Sequence, residues 1–182
     1  MTCIIGLVSG GKVYMGGDSA GVGGYYSLTV RSDPKVFVNK DFVMGFTTSF
    51  RMGQLLRFKF VPPPVPEKKD PYAYMVTDFV EAVRTCLRTG GYLLKKEERE
   101  EGGDFLVGWR GVLYRIEDDM QVGISAEPFH AVGCGHDIAK GAVAALLTTR
   151  MYNRPRQLIM KALEITEQHS AGVRGPFVVE KV

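Results

Sequence analysis

Apolar residues in this chain fall first into short unbroken runs and later into helical spacing. Cys3 to Val8 is a continuous apolar run of strand length, Gly10-Gly11-Lys12 forms a turn, and Val13-Tyr14-Met15 returns from it. Lys35 to Val38 and Phe42 to Met44 predict a second strand pair around Asn39-Lys40-Asp41. Such runs lack the alternation of a half-exposed strand, so they predict strands covered on both faces. Ser49 predicts the cap of a helix reaching about Phe60, ahead of Pro62-Pro63-Pro64. Val76, Phe79, Val80, Val83 and Leu87 then repeat with helical spacing, and Gly90-Gly91 is the stop. Between these helices Pro62 to Asp70 reads as a loop, and Lys95 to Gly103 as a charged, solvated connection.

The second half follows the same order. Asp104 to Trp109 and Val112 to Ile116 flank Arg110-Gly111 as a hairpin. Ala131-Val132 is a strand leading to Gly133-Cys134-Gly135, Asp137 caps an alanine-rich helix through Leu147, and Pro155 starts a last helix with face Leu158, Ala162 and Ile165. Gly21-Val22-Gly23-Gly24 reads as a flexible loop. Strands that need two covers, with two helix pairs available, predict an α+β fold. Its form is a four-layer α-β-β-α sandwich: two stacked antiparallel sheets flanked by helices, in one domain over residues 1–182.

Composition narrows the function. Hydrophobic residues make up 45% and charged residues 24%, the balance of a folded globular domain. A net charge of +3, with basic residues scattered among acidic ones, gives no case for nucleic acid or an anionic membrane. Cys3, Cys86 and Cys134 have no C-x-x-C spacing, which argues for a reducing compartment and against a zinc site or disulfide framework. No residue cluster implies a metal or cofactor. The first apolar run lacks a basic lead-in and breaks at Ser9-Gly10-Gly11, unlike a signal peptide, and no run approaches the ~20 residues of a membrane span. The expectation is a soluble cytoplasmic protein.

The candidate chemistry starts at Met1-Thr2. Aminopeptidases remove an initial methionine when the next side chain is small, which would leave Thr2 with a hydroxyl and a free α-amine, a nucleophile carrying its own base. Taken alone, Asp18 after Gly16-Gly17 reads as a side-chain-to-backbone turn and Lys35 after Pro34 as a solvated strand edge. Cys3 could lead only if Met1 and Thr2 were both lost, and its strand position reads as core. His130 and His136 read as surface or turn residues.

Several segments belong together: Met1-Thr2, Val13-Tyr14-Met15-Gly16-Gly17-Asp18-Ser19, Lys35-Val36 entering a strand, Met44-Gly45-Phe46 before a helix, Gly108 with Tyr114 and Ile116, and Ala131 to Gly135 before a small-residue helix. In this order they resemble the proteasome β-subunit family of N-terminal nucleophile hydrolases, in particular the simpler bacterial HslV-type peptidases. The resemblance covers nearly the whole chain and rests on order and spacing. It implies a threonine endopeptidase acting on protein or peptide substrates. Thr2 is the nucleophile, Lys35 a fixed positive charge beside it, Asp18 the carboxylate holding Lys35, and the Gly45 N–H the oxyanion donor. It further implies a homo-oligomeric ring that hides the sites, served by an ATP-dependent unfoldase. The chain departs from the family in having Cys134 for the usual serine. His169 stands near an acidic position, with Ser170 the nearest hydroxyl, and Val22 replaces a substrate-binding threonine. Two other readings stay open: a catalytically inactive ring subunit, and an amidase of another N-terminal nucleophile class.

Overall fold

The computed structural model describes residues 1–96 and 99–182. The chain runs β1 (Cys3–Ser9), β2 (Lys12–Gly17), β3 (Ala20–Val22), β4 (Leu28–Val30), β5 (Val36–Asn39), β6 (Phe42–Phe46), α1 (Phe50–Phe58), α2 (Pro71–Tyr74) and α3 (Val80–Thr89). It continues with β7 (Leu94–Lys96), β8 (Arg99–Glu101), β9 (Phe105–Trp109), β10 (Val112–Ile116), β11 (Val122–Ile124), β12 (Phe129–Gly133), α4 (His136–Leu147), α5 (Pro155–His169) and β13 (Val178–Lys181). One antiparallel sheet has the order β12-β1-β2-β13, the other β11-β10-β9-β6-β5. The three expected hairpins form. Their turns carry the positive φ angles that tight hairpins demand, at Gly10 and Gly11 (58° and 71°), Lys40 (52°), and Arg110 and Gly111 (49° and 75°).

The unbroken apolar runs are explained by burial on both faces. Along β1, Ile4 joins Met15, Val36, Val43, Leu106 and Val132 in a core shared by the two sheets. Its neighbours Cys3, Ile5 and Leu7 point the other way, into a core with Leu158, Ile159, Ala162 and Leu163 of α5 and Ala139 and Val143 of α4. The second sheet sends Phe37, Phe42, Met44 and Trp109 toward Met52 and Leu56 of α1 and Val83 and Leu87 of α3. Among the described residues no helix is long and apolar enough to cross a membrane.

Several local expectations are corrected. The helix entered at Asp70, whose side chain accepts from the Ala73 N–H, passes through a π-helical stretch, Met75–Phe79, before α3. The wider π turn shifts the phase, so Tyr74 and Met75 are buried, and Val76, expected on the apolar face, is exposed. α1 ends at Phe58 rather than Phe60. Gly135, not Asp137, is the N-cap of α4, and Asp137 lies in its first turn. In α5 Thr166 is fully buried, whereas Ile165 only borders the core. His130 is a half-buried residue of β12 rather than a surface one. Gly21-Val22 belongs to a ribbon in which β3 pairs with β4. The stretch Lys95 to Gly103 includes the paired strands β7 and β8; residues 97 and 98 of that expected connection lie outside the described residues. The edge strands β11 and β13 have too few apolar residues to announce themselves in sequence.

Gly53 on α1 faces the ring of Phe46 on β6, and a Cβ built there would stand 2.1 Å from the ring Cε1. Alanine would gain about 1 kcal/mol of helix propensity, but overpacking costs about 1–3 kcal/mol, and at this distance the clash wins. Gly53→Ala is therefore expected to lower Tm by roughly 2–6 °C in a thermal melt. An unchanged or higher Tm would mean that Phe46 moves aside without cost.

Candidate active site

Three strand ends meet at one place. Thr2 immediately precedes β1, Asp18 follows β2, and Lys35 precedes β5. Gly17 makes the approach possible, since a Cβ there would lie 2.8 Å from Ile4 Cδ1 and from Val36 Cγ2. The Lys35 Nζ donates to Asp18 Oδ1 at 2.9 Å, with both side chains almost wholly out of water. Asp18 accepts more than this bond: the Cys3 N–H at 2.9 Å on Oδ1, and the Ala20 N–H at 2.8 Å and Arg174 N–H at 3.4 Å on Oδ2. The side-chain-to-backbone turn at Asp18 is thus present alongside its ion pair. Lys35 as a solvated edge is overturned, because the residue is 1% exposed. Burial pushes the Lys35 pKa down, and the charge of Asp18 and its hydrogen bond oppose that shift.

Thr2 is buried and surrounded by this pair and by the β12–α4 turn. Its Oγ1 donates to the Met1 carbonyl oxygen, which also receives Lys35 Nζ at 3.4 Å, so the hydroxyl and the ammonium converge on one atom. The Thr2 N–H donates to Cys134 Sγ at 3.3 Å, and the thiol lies 3.4 Å from the Thr2 carbonyl oxygen. Gly133, at φ 97°, lets that turn come close, since a Cβ there would sit 2.2 Å from the same oxygen. Ser170 Oγ reaches Cys134 Sγ at 3.9 Å, while His169 is exposed at the end of α5.

Gly45 sits elsewhere in the arrangement. A Cβ at Gly45 would lie 2.5 Å from Ile4 Cγ2 and 2.7 Å from Met15 Sδ, so the glycine lets the two sheets close on each other. Phe46 N–H bonds the Lys35 carbonyl and Thr47 N–H bonds the Asp104 carbonyl. Alternation along the strand therefore turns the Gly45 N–H toward Leu106 of β9, its partner in register. Cys3 lies in the core, where burial foremost and the charge of Asp18 secondarily push its thiol pKa up, away from the thiolate a nucleophile needs.

A cavity of about 310 Å³ opens beside Thr2, walled by Gly21 to Gly23, Arg31 and Phe46 to Phe50. Some of these residues escape sequence reasoning. Thr48 adopts φ 61°, a conformation disfavoured for a β-branched residue, at the rim of this cavity. The expected position falls on His169, but Glu167, two residues earlier, makes the contacts. Its Oε1 accepts the Gly175 N–H at 3.1 Å and lies 3.6 Å from Arg174 Nη1, holding the segment whose Arg174 N–H reaches Asp18. The available signal was its acidic type near the end of the last helix. Among the described residues no group of three or more His, Cys, Asp or Glu side chains is placed to hold a metal ion.

The fold is that of proteasome-type N-terminal nucleophile hydrolases. Thiobacillus denitrificans BPH, solved in complex with epoxomicin, superposes with a TM-score of 0.76 at 16% identity, over 100% of this chain and 98% of that one. HslV from Trypanosoma brucei gives 0.70 at 20% identity, over 99% and 98%. Anbu, an ancestral β-subunit from Yersinia bercovieri, gives 0.69 at 14%, over 99% and 81%. No family model and no curated protein sequence matches the chain.

Replacing Lys35 by methionine would leave the Asp18 carboxylate buried without its counter-charge, a change that costs about 3–5 kcal/mol. Urea unfolding of Lys35→Met should show a loss of that size, and the Lys35→Met/Asp18→Asn double variant should regain part of it. A single variant as stable as wild type would show that Asp18 is satisfied by its backbone donors alone.

Proposed function

We propose that this chain is a threonine endopeptidase whose nucleophile is Thr2 after Met1 is removed. The observation that carries the reading is that Thr2 Oγ1 and the buried Lys35 ammonium both reach the Met1 carbonyl oxygen, and that Thr2 lines a cavity large enough for a substrate side chain. With Met1 gone, the Thr2 nitrogen becomes an amine. An α-amine has a pKa of about 7.7–8.0, so roughly a tenth is neutral at pH 7, against fewer than one in a thousand for an ordinary lysine near 10.4. The amine is therefore the base. It takes the Oγ1 proton as Oγ1 bonds to the substrate carbonyl carbon, and Lys35 stabilises the developing negative charge. The proton passes to the departing amine, the C–N bond breaks, and an ester on Thr2 remains for water to hydrolyse. Asp18 keeps Lys35 charged and in place, and Cys134 with Ser170 orients the Thr2 amine.

The resemblance gives the oxyanion role to the Gly45 N–H, but the β6–β9 register commits that group to the sheet, so the oxyanion donor is left to a backbone N–H nearer Thr2. The same resemblance supports the remaining parts of the proposal: one domain over residues 1–182 in a four-layer α-β-β-α sandwich, and a cytoplasmic homo-oligomeric ring taking protein or peptide substrates from an ATP-dependent unfoldase. A retained Met1 makes the Thr2 nitrogen an amide without a basic lone pair, and the chain would then be an inactive ring subunit.

Thr2→Ala should lower hydrolysis of short fluorogenic peptides by about 10³-fold or more while Tm stays near wild type, and Thr2→Ser should keep part of the activity. Equal cleavage by Thr2→Ala would exclude Thr2 as nucleophile, and full activity in protein whose intact mass includes Met1 would exclude the amine as base. Light scattering at micromolar concentration should give a mass several times that of one chain; a monomer would sink the ring.

A further inference from the structure

The cavity beside Thr2 contains a cation fixed in position. The Arg31 guanidinium lies 3.8 Å over the ring of Phe50, and its Nε and Nη2 donate to the two carboxylate oxygens of Asp33 at 2.8 and 2.7 Å. The Arg31 N–H bonds the carbonyl of Ser19, next to Asp18, at 2.9 Å, so the backbone that carries the guanidinium is tied to the catalytic centre. Arg31 lines the cavity, Asp33 does not, and among the described residues no carboxylate does. Ser27, Thr29 and Ser49 also line the cavity.

We infer that this cavity accepts an acidic side chain, Asp or Glu, on the residue whose carbonyl Thr2 attacks, and that Arg31 determines this specificity. The inference rests on the peptidase reading above. A carboxylate entering the cavity meets a guanidinium whose Nε–Nη2 edge is taken by Asp33; the opposite edge of such a group is a second planar fork suited to a carboxylate. Pinning by Phe50 and Asp33 reduces the rotamer entropy that an arginine otherwise loses when it binds. A lysine or arginine side chain would meet like charge in the same place. A large apolar side chain would find one face of the Phe50 ring already covered by Arg31.

Asp33 partly offsets the charge, but the side chains of the pair are 35% and 42% exposed, so water screens their attraction. Asp33 takes only Nε and Nη2, which leaves Nη1 as the donor that a ligand can use.

The test uses N-blocked fluorogenic peptides identical except for Glu, Leu or Arg before the scissile bond, read as kcat/KM. Wild type should prefer Glu to Leu and Leu to Arg. Arg31→Gln should lower the Glu-to-Leu ratio by about 10–100-fold, the range for a hydrogen bond to a charged group, and Arg31→Lys should fall between. Asp33→Asn should raise the ratio. Wild type that cleaves the Leu or Arg peptide better than the Glu peptide overturns the specificity while leaving the peptidase reading intact, as does an Arg31→Gln ratio equal to wild type. Cleavage of no peptide, by protein with a free Thr2, overturns both.

Discussion

An ammonium and a carboxylate 2.9 Å apart and shielded from water hold this end of the molecule together. Removing two charges from water costs several kcal/mol per ion, and their attraction offsets that cost only when the remaining lone pairs are also used. Here they are. Asp18 takes backbone N–H groups from Cys3, Ala20 and Arg174, so one carboxylate joins the start of β1, the exit from β2 and the segment before β13. Lys35 brings in β5, from the opposite sheet. The two sheets are thus locked at the end where Thr2 lies, and the geometry of Thr2 follows from that lock.

Close backbone approach is the second condition. Gly17, Gly45 and Gly133 stand where a Cβ would strike Ile4 or the Thr2 carbonyl. A β1 held away by even one methyl group would pull the Cys3 N–H, and Thr2 before it, away from Asp18. The glycines serve the inter-sheet packing and the candidate site together, and Gly45 has its structural role in that packing.

The cavity side is built from less regular pieces. The β3–β4 ribbon, the strained Thr48 and the first residue of α1 supply its walls, with Arg31 stacked on Phe50. These segments lie outside the paired strands of the two main sheets, so their side chains can vary while the strand ends behind them stay in place. The buried strand ends and the cavity walls are thus separate parts of the fold, the walls coming from the ribbon and the start of a helix.

Much of the architecture was readable from the sequence alone. Continuous apolar runs reported strands buried on both faces, and turn residues with positive φ marked three hairpins, because both signals come from a few neighbouring residues. The resemblance, resting on order and spacing, names Thr2, Asp18, Lys35 and Cys134 as candidates, and the fold brings the four to one place. What the sequence could not carry was anything depending on phase or on distant partners. The π turn exposes Val76 and buries Met75 in the core beneath the second sheet, and the edge strands β11 and β13 each pair with one neighbouring strand. Read singly, Lys35 was a surface residue and Glu167 drew no notice. The resemblance pairs Lys35 with Asp18, 17 residues away, and the tertiary structure shows the pair in contact; the structure alone places Glu167 beside Arg174 and Gly175. A charge is stable inside a protein only when a partner meets it there, and no local pattern of residues records where that partner will be.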